Sequence, residues 1–206
     1  MTTTVEEMRV WVGCLACYNA GHLVGHWYDA NEAGDQTSAD VHSTSGTWGD
    51  SQVVDLGERD KLFVRAHDGM VFDDLGCPHE ELWVFDHEGF GGALKGECSP
   101  CEAQRMAEAL ESLDSDEREV FASWYEEGVY GDMVDAVDDF RDHFHGIWDS
   151  EKEFAYNFVD ESGDERIKSA ADTGYFDWDS YTRDLFFDFT SHDISGYRIG
   201  VTSPVY

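Results

Sequence analysis

Two patterns in the chain have residue types and spacings suited to chemistry. The first is a pair of C-x-x-C motifs, Cys14-Leu-Ala-Cys17 and Cys98-Ser-Pro-Cys101. Together with His22, His26, His79, His143 or His145 they offer the sulfur and imidazole donors that zinc takes. The two pairs stand ~80 residues apart, well beyond zinc-ribbon spacing. The first pair also falls in a strand-like run, where residues i and i+3 face opposite sides. His143 and His145 flank an expected helix end, where an imidazole suits the dipole without a metal. The reading is therefore no metal and no cofactor, with the cysteines as small buried residues.

The second pattern is made of carboxylates. Asp135, Asp138, Asp139 and Asp142 follow i, i+3, i+4, i+7 spacing on a segment whose opposite face is Met133, Ala136, Val137, Phe140 and Phe144. On a helix such neighbours lie about 5–6 Å apart at Cβ, and extended side chains spread further, toward the spacing of duplex phosphates. Like charges at this spacing destabilise the helix that carries them. With 45 Asp and Glu in the chain, a glycosidase-like carboxylate pair fits almost anywhere and has no specificity. P-loop, G-x-G-x-x-G, G-x-S-x-G and H-E-x-x-H motifs are all missing from the sequence. No catalytic constellation is expected, and the chain is read as no enzyme.

The net charge is −32 over 206 residues, with 13 Lys and Arg. A surface this acidic is repelled by nucleic-acid phosphates and anionic lipid, which excludes an ordinary nucleic-acid or membrane-surface binder. At one charge per ~1.7 Å of duplex axis, the total corresponds to roughly 54 Å of DNA. The other reading of the same charge is a solvated surface adapted to high salt, on a cytoplasmic globular protein or enzyme; only four lysines, Lys61, Lys95, Lys152 and Lys168, suit it. Met1-Thr-Thr-Thr-Val-Glu-Glu has neither the basic region nor the apolar run of a signal peptide, so a cytoplasmic location is expected. Five cysteines without a secretory signal argue against a disulfide framework.

The elements that must position these residues divide into three. Residues 1–98 read as a β-rich N-terminal domain. Its strands are Arg9–Val12, Leu23–Tyr28, Lys61–Ala66, Met70–Phe72 and Glu81–Phe85, with turn chemistry at Tyr18–Gly21 and Asp68-Gly69. Asn31–Asp50 reads as a polar connection. Residues 99–145 read as a central helical domain. Its first helix is capped by Ser99 with Pro100 in the first turn. A second runs from Asp114 or Ser115 to Gly128, with Val120, Phe121 and Trp124 inward, and a third from about Asp132 to Phe144. Residues 146–206 read as a C-terminal α+β domain that is mainly helical. Ser150 and Glu153 open one helix through about Glu161, a further helix spans roughly Asp177–Phe189, and Tyr197–Val201 is a short strand. The fold class is α+β. The three segments carry net charges of −13, −11 and −8, so no tail accounts for the total.

Three stretches together resemble the ArdA-type antirestriction proteins of mobile genetic elements. One is Val12-Gly13 with Tyr18-Asn19, Gly21, Leu23, Gly25, Trp27 and Asp29. Another is Glu80-Glu-Leu-Trp-Val-Phe-Asp86 with Glu88-Gly-Phe90. The third joins Phe144-His-Gly-Ile-Trp-Asp-Ser150 and Glu153-Phe154 to Tyr175-Phe-Asp-Trp-Asp-Ser-Tyr181 and Arg183-Asp-Leu-Phe186. Asp114-Ser-Asp-Glu-Arg-Glu-Val120, with Trp124 and Glu126, falls where that family has its antirestriction motif. Residues 31–79 lie outside the resemblance and are longer than the family pattern.

The resemblance implies an elongated homodimer of three small domains that mimics bent B-form DNA. It further implies occupation of the DNA-binding site of type I restriction–modification enzymes, protecting incoming DNA during conjugation. The partner is then a protein, with no nucleic acid and no membrane. The carboxylates expected to form the mimic surface are exposed acids of the helical regions: Glu117, Glu126, Glu127, Asp135, Asp138, Asp139, Asp142, Asp160, Glu161, Asp184 and Asp188. Trp27, Trp148, Trp178 and Phe140 are assigned to packing.

Overall fold

The computed structural model of the chain describes residues 6–43, 52–55, 61–67, 70–72, 75–128, 133–163 and 165–204. Helices mix with small antiparallel sheets, an α+β composition. Two compact units emerge, one built from Val5–Phe90 and Leu94–Glu111, the other from Gly91–Ala93 and Ser112–Tyr206.

In the first unit, β1 (Arg9–Cys14) is the middle strand of a sheet ordered β2–β1–β6, with β2 at Gly25–Asp29 and β6 at Leu82–Glu88, both antiparallel to it. Val10 and Val12 alternate inward and are fully buried, as a half-buried strand requires. Trp11, on the other face, meets the ring of Phe85 edge-on at 5.8 Å. The Trp11 indole covers the paired Gly13 and Gly25, where an added Cβ would strike the ring. Between β1 and β2 the expected turn is partly helical: α1 (Leu15–Asn19) precedes a reversal at Gly21.

The stretch read as a polar connection holds a 3₁₀ turn at Ala30–Asp35 and a short helix, α2 (Ser38–His42). Beyond it, β3 (Gln52–Asp55), β4 (Lys61–His67) and β5 (Met70–Phe72) form a second small sheet. The β4–β5 hairpin is the one anticipated, although its Asp68-Gly69 turn lies outside the described residues. Helix α3 (Pro100–Leu110) starts as expected, with the Ser99 hydroxyl accepting the Glu102 N–H. Its Ala103 and Ala107 are buried, and the helix packs on the 3₁₀ turn and on β6.

In the second unit, α4 (Ser115–Glu127) begins at a full capping box. The Asp114 carboxylate accepts the Glu117 N–H, and the Glu117 carboxylate accepts the Asp114 N–H, each at 2.9 Å. Helix α5 (Met133–His143) follows. Phe121, Trp124 and Phe140 bury their rings together at centroid distances of 5.5–6.2 Å.

The expectation of a single short strand in the mainly helical C-terminal part is corrected here. A three-stranded antiparallel sheet is present, ordered β7–β9–β8, with β7 at Phe144–Trp148, β8 at Thr190–Ile194 and β9 at Arg198–Thr202. Phe144 leaves the helix and pairs with Thr202. Helix α6 (Glu151–Glu161) matches the expected span, with Ser150 capping Glu153. A short helix α7 (Glu165–Ala171) was not anticipated. Helix α8 (Trp178–Leu185) is shorter than read, since Phe186 caps it and the chain passes into β8. Phe154, Phe158, Phe186 and Phe189 make a second aromatic cluster against Trp148 and His145.

Candidate functional site

The acidic face of α5 forms as its spacing requires. Asp135, Asp138, Asp139 and Asp142 are all exposed, while Ala136, Val137 and Phe140 of the same helix are buried. Among the described residues no cation pairs with any of the four. Arg141, the nearest base in sequence, donates instead to the Ser112 carbonyl at 3.1 Å. His143 closes the helix with its Nδ1 on the Asp139 carbonyl at 2.7 Å, a capping role that needs no metal.

The remaining acids sit mostly on helix ends. Glu126 and Glu127 are exposed in the last turn of α4, and Asp160 and Glu161 in the last turn of α6; neither turn holds a base. Asp160 lies 3.8 Å from Lys168, Asp184 pairs with the adjacent Arg183 at 2.8 Å, and Asp188 is exposed just after α8. Glu117 differs from the rest. It is half-buried and committed to the α4 capping box, so its carboxylate serves the fold. Phe140 is core; Trp148 and Trp178 are half-buried among rings, and Trp27 is 37% exposed under the guanidinium of Arg9.

A second site lies in the first unit and was not expected. Cys14, Cys17, His42 and His79 are all buried and converge, their donor atoms within 4.8 Å of one another. The argument that Cys14 and Cys17 face opposite sides fails because the strand ends at Cys14. That residue is the N-cap of α1, and its sulfur accepts the Cys17 N–H at 3.4 Å, so three residues later the chain has turned back. The Thr37 and Asp40 capping box starts α2 and brings in His42, whose Nδ1 bonds the Ser38 carbonyl at 2.6 Å. A carbonyl only accepts, so that nitrogen carries the proton and Nε2 turns its lone pair to Cys17 Sγ at 3.4 Å. His79 is placed by its N–H donating to Val71 at 2.8 Å, beside the Phe72–Pro78 bridge. Its Nδ1 stands 3.4 Å from Cys14 Sγ and 3.3 Å from Cys17 Sγ.

The two thiols are driven apart in acidity. Cys14 is held well below the ordinary thiol range by the hydrogen bond from Cys17, with His42 adding to it against the effect of burial. Cys17 is pushed up by the Cys14 sulfur beside it and by its own burial. The other motif does not join them. Cys98 is buried on a bridge to Val84, and burial lifts its thiol to about 11, while Cys101 is exposed in the first turn of α3. His22 is half-buried and His26 exposed, and neither reaches the cluster.

A family model described as antirestriction protein (ArdA) matches residues 10–198. The chain belongs to the ArdA family. No curated relative matches the chain. Membership in the ArdA family implies an antirestriction function exerted on restriction enzymes, by an inhibitor and not by an enzyme. The residues that carried the resemblance are largely structural within this ArdA protein. Gly13 and Gly25 admit Trp11, Asp114 caps α4, and Phe154 centres the second aromatic cluster. His42 was missed because it sits in a stretch that reads as loop. The Thr37-x-x-Asp40 box was the signal that marks a helix there.

Proposed function

We propose that this protein inhibits type I restriction–modification enzymes by presenting carboxylates where those enzymes receive DNA phosphates, and that it does so in the cytoplasm as a homodimer. The observation that carries the reading is where the exposed acids stand. Helix dipoles favour anions at the N-terminus and disfavour them at the C-terminus. Yet the last turns of α4 and α6 carry Glu126, Glu127, Asp160 and Glu161 with no base in the turn, and α5 stacks four aspartates on one face. Apart from Asp135 in the first turn of α5, these placements work against the helices that bear them, which points to a use outside folding.

A carboxylate surface of this kind gains affinity from counterion release and from steering toward a basic DNA channel, so binding weakens as salt rises. Ten of the eleven expected mimic residues are exposed and remain in the proposal; Glu117 is set aside for its capping role. No helix among the described residues is long and apolar enough to cross a membrane. The test is competition with duplex DNA for a purified type I methyltransferase core. Displacement of DNA at low salt, falling steeply as salt is raised, is expected. An unchanged DNA-bound fraction at low salt overturns the proposal in favour of a merely solvated acidic surface.

A further inference from the structure

We infer that Cys14, Cys17, His42 and His79 form a structural zinc site. The inference stands apart from the antirestriction reading, because it rests on a different unit and on other chemistry. Zinc takes Cys₂His₂ donors in a closed tetrahedron, with Zn–S near 2.3 Å and Zn–N near 2.0–2.1 Å. Donor atoms on such a tetrahedron stand about 3.3–3.8 Å from one another. Three of the four sulfur–nitrogen separations are 3.3, 3.4 and 3.4 Å and all donor atoms lie within 4.8 Å of one another, so the cluster is already close to ligand geometry.

Four further features suit a metal better than a chance gathering of small buried groups. Every donor is buried: His42 and Cys17 are fully enclosed, Cys14 is 1% exposed and His79 6%. Two imidazoles in an apolar setting need polar partners, and a pair of thiols is a weak one. Zinc with two thiolates and two neutral imidazoles is neutral overall, so the assembled site buries no net charge. Around the donors the supporting bonds are in place. His42 Nδ1–H on the Ser38 carbonyl fixes the tautomer that leaves Nε2 free to bind, and the Cys17 N–H steadies the Cys14 sulfur.

The donors come from four places in the chain: the end of β1, the helix α1, the helix α2 and the segment leading to β6. A metal here would tie the long 31–79 stretch to the central strand of the first sheet. All four positions are filled by protein, which leaves none open for substrate and makes the role structural.

The experiment uses the full chain, purified under reducing conditions. Metal analysis should give about one zinc per chain. Cobalt(II) loaded into the metal-free protein should show the intense visible bands of a tetrahedral ion together with thiolate-to-metal charge transfer. Cys17→Ser and His42→Ala should each lower zinc retention by about tenfold or more, and Cys98→Ser should leave it unchanged. Should a ligand variant fail to fold, the cobalt spectrum of the unaltered protein still decides the matter. Absence of tetrahedral cobalt bands in the reduced chain overturns the inference. So does a Cys14–Cys17 disulfide found in protein purified without oxidant, or equal zinc loss in Cys98→Ser.

Discussion

Val120 of α4 rests directly on the backbone of Gly200 in β9, so closely that a methyl group at Gly200 would overlap both branches of the valine. The helix is thereby seated on the sheet through a residue with no side chain. Replacing Gly200 with Ala must push α4 outward or force Val120 off its rotamer. Overpacking of this kind costs about 1–3 kcal/mol. Chemical denaturation of Gly200→Ala should show that loss. The double variant with Val120→Ala should recover part of it, because the two residues share one contact. Additive losses in the double variant would exclude the seating relationship.

Gly25 has a comparable role in the first unit. A Cβ there meets the Trp11 ring at 2.7 Å and the Val12 carbonyl oxygen at 2.5 Å, and the second of these is backbone that cannot swing aside. Gly25→Ala should therefore destabilise the chain by roughly 2 kcal/mol and shift Trp11 fluorescence. Gly21→Ala is the contrasting case: nothing lies within 4 Å, and only the positive φ of 87° opposes it. A loss at Gly21 as large as at Gly25, with Trp11 emission unmoved, would show that strain and not ring packing governs these glycines.

Legibility of the sequence tracked how local the deciding interaction is. Helix α4 was readable because Asp114, Glu117, the Val120–Phe121–Trp124 face and Gly128 are all short-range signals. Strand β7 was not. Phe144 continues the spacing of Phe140, and their rings do stack at 5.0 Å, but pairing with Thr202 across 58 positions takes it out of the helix. Strand β8 has Ile194 as its one apolar residue, so it carries no alternating apolar pattern and is defined by its partner β9. The acidic surface was visible as composition and helical spacing, needing no tertiary information. The metal cluster needed it, since an N-cap turn at Cys14 and a five-residue helix bring together donors 65 positions apart.

His192 gives the second unit a pH dependence of definite sign. It is buried on β8, its Nε2 sits 2.9 Å from the Thr202 hydroxyl, and burial lowers its pKa below the ordinary 6.5, with Glu127 opposing. The unfolded chain then takes up a proton more readily than the folded one. Its contribution to stability is complete above the unfolded pKa and is lost as pH falls from there through the folded value. Unfolding followed from about pH 7.5 to 5.5 should show stability declining in acid, and His192→Asn should flatten that slope. A slope unchanged in the variant would assign it to other groups, His145 first, whose pKa burial and His143 also lower.

The four aspartates of α5 separate folding from function, because their two effects have opposite signs. Asp135 lies in the first turn, where a negative charge suits the helix dipole, whereas Asp142 lies in the last. Asp138, Asp139 and Asp142 repel one another at i+3 and i+4 spacing, and the last-turn Arg141 and His143 bond backbone carbonyls and not these carboxylates. Converting these three to Asn should raise the unfolding midpoint, by about 1 kcal/mol in sum, while Asp135→Asn lowers it slightly. If the face stands in for phosphates, the stabilised triple variant should nonetheless inhibit a type I enzyme at least ~10-fold less well and show a shallower salt dependence. Circular dichroism, denaturation and a restriction assay on the same preparations measure all three quantities. A triple variant that is more stable and inhibits equally well would exclude α5 from the contact surface and leave the ends of α4 and α6 to carry it.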